Sequence, residues 1–535
     1  MGLMESFLDV YVSTAVFGVL FLYLLYRFSV RNHNLWKEKN VPYIKPLPFV
    51  GNLLPILRTC LEELDVERYK KYGRIYGYYD ANTPALMVSD PELVKDLYVK
   101  DFTSFIDHSE FETGEDMIAK MLIVIGGDDW KRIRMILSPT FSTGKLKRVL
   151  GIFEDCAKTL TQSFGKFADS KKPCDVYKMY SSFTVDVIAS SAFSTKIDSR
   201  NDPNNPFVRH VKRIFDQDPG FRSILFFAVP SLMRKLGVEL FPQDSLQFFN
   251  NTILEIIKQR KQTGQARNDF LQLLLECANE IPKEDLKENS SEDMTQNYGS
   301  ESTDRAFFKN VSNKSLTMDE LVAQCVLFFI AGYQTTTLLL GYTTYNLALN
   351  QDIQEKLFEE IKEVLRETNG KLTYEAIQNM KYLDNVMSEA LRLHPPVIRM
   401  ERMSVVDNYT LKGTGITIPK GTTVSTPIYA IHRDPEFFPD PEKFDPERFN
   451  SENKGKIVPY TYLPFGAGPR NCIGMRFALL ESKICLANVF STFQVQTCSE
   501  TQIPLEHDRG GLGFLRPKEI TLRFVQRDNC PLKCS

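Results

Sequence analysis

From Val10 to Tyr26 the chain reads VYVSTAVFGVLFLYLLY, a predominantly apolar run without a charge. Ser29 and Val30 lengthen the run if Arg27 reaches out to water. The stretch then approaches the about 20 residues a helix needs to cross a hydrocarbon core roughly 30 Å thick. A cleaved leader is the rival reading. Against it, Arg27, Arg31, Lys37 and Lys39 follow the run instead of preceding it, and no small-x-small cleavage pattern closes it. Glu5 and Asp9 lie in front, so the charge asymmetry puts the rest of the chain on the cytosolic side. Residues 1–30 are therefore expected to form a membrane anchor. Next comes VPYIKPLPFVGNLLP, whose Pro42, Pro46, Pro48 and Pro55 forbid helix and stiffen the backbone. Residues 31–56 read as a Pro-rich hinge that sets the body against the bilayer.

Residues 57–535 read as one body, mostly α with a small β part. Helical periodicity dominates, and no internal repeat breaks it. Thr317 and Glu320 fit a capping box, opening a helix that can run to about Leu349, roughly 48 Å at 1.5 Å per residue. Its middle, LVAQCVLFFIAGY, is apolar on nearly every side, which predicts a central buried helix. Gln324 and Gln334 bracket it too closely for a second membrane span. Strand patterning is confined to Tyr409–Ile418, Thr423–Pro427 and Gly513–Phe524. Asn279–Ser315, rich in Glu, Ser, Asn and Lys, predicts a mobile surface loop within the body. Phe221–Phe241 is apolar but broken by Pro230. It reads either as core or as a patch that dips into a membrane interface.

Composition narrows the class. With 43% hydrophobic and 25% charged residues, the 535-residue chain is globular, neither disordered nor mostly membrane-embedded. A net charge of −2 gives no support to a nucleic-acid role. Ten cysteines in this length are too sparse for a disulfide scaffold, so any single important one is expected to be chemical. The two tryptophans, Trp36 and Trp130, stand out against 38 Phe. Trp36 follows the anchor, where interfacial indoles are favoured.

The chemistry concentrates in Phe465-Gly-Ala-Gly-Pro-Arg-Asn-Cys472-Ile-Gly474. One cysteine sits in a glycine-rich loop directly before a helix-like run. Backbone N–H groups and a helix N-terminus both favour thiolate. A zinc site lacks a second Cys or His at ligand spacing. A phosphate loop lacks its G-K-[ST] ending. A nucleophile is open, although no His partner can be nominated. A lone thiolate can also bind a metal whose other ligands come from elsewhere, and haem supplies four nitrogens itself.

The loop fills F-x-x-G-x-R-x-C-x-G with Phe465, Gly468, Arg470, Cys472 and Gly474, and so resembles the haem-binding signature of the cytochrome P-450 superfamily. Glu389-Ala-Leu-Arg392 resembles the family's E-x-x-R, Pro446-Glu-Arg-Phe449 its PERF segment, and Ala331-Gly-Tyr-Gln-Thr335-Thr336 the oxygen-binding part of its I helix. Trp130-Lys-Arg-Ile-Arg134 followed by LSPTF resembles its C helix. The phrasing is most similar to the animal microsomal drug-metabolising group called family or clan three.

The resemblance implies a cytochrome P-450 fold, with haem b held by Cys472 as iron ligand and Phe465 packed beside the sulfur. Trp130, Arg134, Arg402 and Arg470 match positions that bind the haem carboxylates, and Gly468 and Gly474 shape the loop. Glu389, Arg392 and Arg448 match a structural ion network. Thr335 is expected to relay a proton to the oxygen being reduced, and Ala331 and Gly332 to leave room for dioxygen. Leu327, Ile330, Ala331, Val397 and Met400 match substrate-facing places. The chain departs from the family at Gln334, where an acidic residue is usual. An amide cannot relay a proton by ionising.

The implied activity is a membrane-bound monooxygenase that inserts one atom of O2 into lipophilic molecules such as xenobiotics, steroids or lipids. Electrons would come from NADPH through a separate cytochrome P-450 reductase, with cytochrome b5 as a further partner. No G-x-G-x-x-G loop stands in a strand-to-helix setting, which is why the reductase is expected on another chain. The implied place is the endoplasmic reticulum membrane, with the catalytic domain in the cytosol. The alternative is a haem-thiolate isomerase or dehydratase of lipid peroxides. Lys131-Arg132, Lys145-Lys147-Arg148 and Arg476 are candidate reductase-docking charges.

Overall fold

The computed structural model describes residues 2–109, 115–193, 204–215, 241–264, 269–279, 315–509 and 513–531, with scattered positions between them. Most of Phe221–Phe241 and of the 279–315 loop lies outside the described residues. The helices that position the site are α1 (Gly2–Ser29), α2 (Gly127–Leu137), α3 (Thr143–Ser170), α4 (Val176–Phe193), α5 (Met318–Leu349), α6 (Lys381–Leu393) and α7 (Met475–Thr492). Tyr11–Ser29 in α1 is long and apolar enough to cross a bilayer and stands clear of the body.

Among the described residues, three small sheets accompany the helices. The first has the order β1 (Ile75–Asp80), β2 (Thr83–Val88), β7 (Thr423–Thr426), β4 (Met400–Met403). Its β2–β7 pair is parallel, in register Leu86 to Val424. The second has β3 (Cys174–Asp175), β9 (Thr521–Gln526) and β8 (Phe493–Gln496). The third pairs β5 (Tyr409–Thr410) with β6 (Thr417–Ile418), so the stretch expected as one strand is a short hairpin. The β1–β2 hairpin carried no signal in the reading of the sequence. IYGYYD and TPALMV are short apolar runs with broken alternation, buried on both faces.

The central helix is α5. Its capping box forms, with Glu320 N–H donating to the Thr317 hydroxyl at 3.2 Å and Thr317 N–H donating to Glu320 Oε2 at 2.8 Å. The helix packs on α4, α6 and α7. Against α4 it makes a polar seam. Tyr180 bonds Thr344 at 2.8 Å, Ser181 bonds Tyr333 at 2.5 Å, and Thr184 bonds Thr337 at 2.8 Å. These hydroxyls satisfy one another inside an apolar core, where an unpaired one costs about 1–3 kcal/mol.

The segment after α1 is stitched to the first sheet. Asn32 donates to Asn82 O at 3.0 Å, and Gly77 N–H donates to Pro42 O at 2.7 Å. Trp36 is fully buried and donates to Tyr78 O at 3.2 Å. A Cβ on Gly77 would fall 2.3 Å from its indole. Trp36 is therefore a core residue that clamps the chain to β1, and the expectation of an interfacial indole is corrected. Its place beside α1 in sequence misled because the chain turns back onto the hairpin within a few residues.

Candidate functional site

The Cys472 loop is built on two left-handed glycines, Gly466 at φ +74° and Gly468 at φ +71°. A Cβ on Gly468 would lie 1.8 Å from the Tyr98 carbonyl oxygen, so only glycine fits. Cys472 N–H donates to Phe465 O at 2.9 Å, closing the loop. Upstream, Leu463 N–H donates to His432 Nε2 at 2.9 Å. Downstream, Gly474 caps α7, which is buried along most of its length. Phe465 is half-buried against the main core.

Cys472 alone is exposed among the described cysteines. Open space reaches it, yet the protein packed around it strips hydration from a charged sulfur. That burial pushes the thiol above its ordinary value, while the Gly474 N–H and the Arg134 charge pull it down. Burial wins, so the dipoles expected to make a thiolate do not suffice alone. A bound cation is what would hold the proton off.

Two other elements bring cationic side chains to this loop, which carries a third of its own. Arg134, on α2, donates to Asn471 Oδ1 at 2.7 Å. Arg402, on β4, donates to Arg470 O at 3.3 Å. The Arg470 guanidinium lies 5.0 Å from the centre of the buried Trp130 ring and donates to the carbonyls of Ile106 and Ile125. The Nε atoms of Arg402 and Arg470 are buried and have no hydrogen-bond partner among the described residues. Burial, then the Arg402 charge, pull Arg470 down to about 9. His108 lies 3.4 Å from Arg402 and is pushed well below its ordinary value by burial and by both arginines. Guanidiniums so crowded call for an anion.

On α5, Leu327, Ala331 and Thr335 recur every four residues and share one face. Ala331 is open, and Leu327, Ile330 and Thr335 are half-buried, while Tyr333, Gln334 and Thr336 are buried. Thr335 donates to Ala331 O at 2.8 Å, so its hydroxyl is bonded within its own helix turn. A Cβ on Gly332 would meet Ile188 of α4 at 3.1 Å. Gln334 faces α4 and donates to the Tyr177 hydroxyl at 2.7 Å. Val397 is 37% exposed, whereas Met400 is buried in the core of the first sheet with Tyr98 and Val424.

Glu389 and Arg392 are fully buried and joined by two bonds of 2.8 Å. Arg448 adds a charge 3.4 Å from Glu389. Arg392 also donates to His432 O at 2.8 Å, which links the network to the residue that pins the Cys472 loop. The basic clusters are offset locally. Lys131 pairs with Asp128, Arg132 with Asp129 and Glu320, Lys147 with Glu375, and Arg148 with Glu276.

The family model for cytochrome P450 matches residues 41–524. The chain belongs to the cytochrome P450 family. It is 39% identical to cytochrome P450 3A11 of Mus musculus over 524 residues, covering 97% of each chain. It is likewise 39% identical to cytochrome P450 3A2 of Rattus norvegicus, with 97% of each chain covered. Identity to cytochrome P450 3A41 of Mus musculus is 38%, over 98% of this chain and 99% of that one. A cytochrome P450 is a haem-dependent monooxygenase that uses O2 and NADPH-derived electrons. The residues present fit that cofactor. Its carboxylates would answer the partnerless Nε atoms of Arg402 and Arg470, and its iron would take the open Cys472 sulfur. Asp107, His108 and Asn471 also stand in this cluster. Reading the sequence missed all three. Asp107 and His108 carry no motif and lie far from their partners along the chain, while Asn471 fills an unspecified place of the Cys472 motif and meets Arg134 only through the fold.

Proposed function

We propose that this cytochrome P450 is anchored in the endoplasmic reticulum membrane by α1, with its body on the cytosolic side, and oxidises lipophilic small molecules using a separate NADPH-dependent reductase. The observation that carries the reading is the accessible Cys472, on a loop bonded to Arg134 and Arg402 from two other elements. Bound haem supplies the activation of dioxygen that no side chain here can provide.

The chain's own residues bind, orient and exclude water. Cys472 ligates, and Gly474 N–H and Arg134 stabilise its charge. Trp130, Arg134, Arg402 and Arg470 hold the carboxylates, a task suited to forked donors in a buried setting. Leu327, Ile330, Ala331 and Val397 offer an apolar surface to substrate. Thr335 carries a hydroxyl on that face, and by exchanging its bond to Ala331 O it can pass a proton to the open side. The names of the relatives support a member of this class without naming a substrate.

The test is the carbon-monoxide difference spectrum of the reduced full chain. A thiolate-type band is expected, and it should vanish in Cys472→Ala while haem is still incorporated. NADPH consumption with added reductase should rise with an apolar substrate and yield an oxygenated product. Turnover of a lipid hydroperoxide without any such oxidation would instead make the chain a peroxide isomerase or dehydratase.

A further inference from the structure

Asp107 lies in a stretch that matches no motif, yet it touches all three elements that carry the cationic side chains. Its carbonyl accepts from Met403 N–H at 2.7 Å, and the two residues form a β-bridge one position beyond Arg402. Its Oδ1 accepts from Gly127 N–H at 2.8 Å, at the first residue of α2, the helix of Trp130 and Arg134. The same oxygen lies 3.8 Å from Arg470 Nη1 in the Cys472 loop.

Two further observations mark the contact as built. Gly126 has an ordinary extended backbone at φ −121°, so its conformation does not demand glycine. A Cβ there would fall 2.5 Å from Asp107 Oδ1 and 2.7 Å from Cγ, so the glycine is needed to admit the carboxylate. Asp107 is also not the sole acid at this helix start, since Asp128 and Asp129 occupy the first turn of α2. What Asp107 adds is a negative charge beside a buried guanidinium that is crowded by two others.

We propose that Asp107 is a positioning residue for the haem-carboxylate clamp. It sets the register of α2 against β4 and balances the charge of Arg470, so that Trp130, Arg134, Arg402 and Arg470 converge. The proposal rests on the reading that these four residues hold the haem carboxylates.

The experiment follows haem transfer from the full-length holoprotein in lipid nanodiscs to excess apomyoglobin, with the reduced carbon-monoxide spectrum recorded on each sample. Asp107→Ala and Gly126→Ala should release haem about tenfold faster, the scale of one lost charge-assisted contact. Asp107→Asn keeps an acceptor for Gly127 N–H and should fall between them and the parent. All three should keep the thiolate-type band, because Cys472 is untouched. In an Arg470→Gln background, Asp107→Asn should add little further, since its partner is gone. Parent-like release in Asp107→Ala and Gly126→Ala overturns the proposal, as does full additivity of Asp107→Asn with Arg470→Gln. Gly126→Ala and Asp107→Asn carry the test if Asp107→Ala does not fold. A parent without a thiolate-type band overturns the haem reading itself, an outcome separable from the release rates.

Discussion

Gln334 donates its amide N–H to the Tyr177 hydroxyl at 2.7 Å, binding α5 to α4 one residue before Thr335. Gln334 is 2% exposed, so this amide is turned into the helix seam and away from the open face. Thr335, the next residue, lies on that face and donates to Ala331 O. The position where the family usually carries an acid therefore holds a tethered amide that cannot ionise. Gln334→Glu restores an ionisable group beside Thr335. It is expected to raise the product formed, and lower the hydrogen peroxide released, per NADPH oxidised. Unchanged partitioning in a reductase-coupled assay would show that the amide does not limit proton delivery. Tyr177→Phe leaves the buried amide donor without its partner. It should cost about 1–3 kcal/mol, seen as a lowered unfolding temperature.

Glu389 is the centre of a buried network. It accepts two bonds from Arg392 and one from Asp445 N–H at 2.9 Å, with Arg448 at 3.4 Å. Burial raises its carboxyl, and the Arg392 bonds oppose that. Glu389→Gln leaves Arg392 buried without a counter-charge, a loss of about 3–5 kcal/mol. Haem-loaded protein should fall sharply while the little that folds keeps its thiolate-type spectrum. Near-normal yield and unfolding temperature would argue that the network is dispensable.

How much of this was legible in the sequence differed by element. The long helix was readable because a capping box and an unbroken apolar run are local signals, and α5 begins at Met318 directly after Thr317. The Cys472 loop was readable because its motif is contiguous. The β1–β2 hairpin was not, since both of its strands are buried and lack the alternation that marks a half-exposed strand. Met400 shows a limit of matching by position, because β4 turns it into the sheet core beside Val424. Gly332 also lies close to Ile188, where a Cβ would come within 3.1 Å, a long-range contact that no spacing along the chain announces.

Gly468 gives a sharp backbone prediction. Its φ of +71° and the 1.8 Å approach of a Cβ to Tyr98 O exclude any side chain. Tyr98 cannot yield easily, because its hydroxyl is also fixed, donating to Met400 O at 3.3 Å. Gly468→Ala should displace the loop between Phe465 and Cys472. It is expected to abolish stable haem incorporation, read from the Soret-to-protein absorbance ratio. Retention of a normal ratio would mean the loop can move away from Tyr98.

His432 makes the same loop sensitive to acid. It is fully buried, and its Nε2 accepts from Leu463 N–H, two residues before Phe465. Its other nitrogen faces Arg392 O at 3.1 Å, so the neutral ring donates there and accepts at Leu463. Burial, then the Arg392 charge, lower His432 to about 3, against 6.5 for an exposed imidazole. Because the folded value is depressed, the unfolded chain takes up the proton first. The stability that depends on a neutral ring is complete above pH 6.5 and is lost as pH falls from 6.5 toward 3, at about 1.4 kcal/mol per pH unit. Between pH 6.5 and 5 this amounts to roughly 2 kcal/mol. His432→Gln keeps polar atoms in place but removes the titration. Its unfolding temperature should start lower at pH 7.5 and fall less steeply on acidification, so that the two curves converge. Parallel curves for parent and variant would place the acid sensitivity in another group.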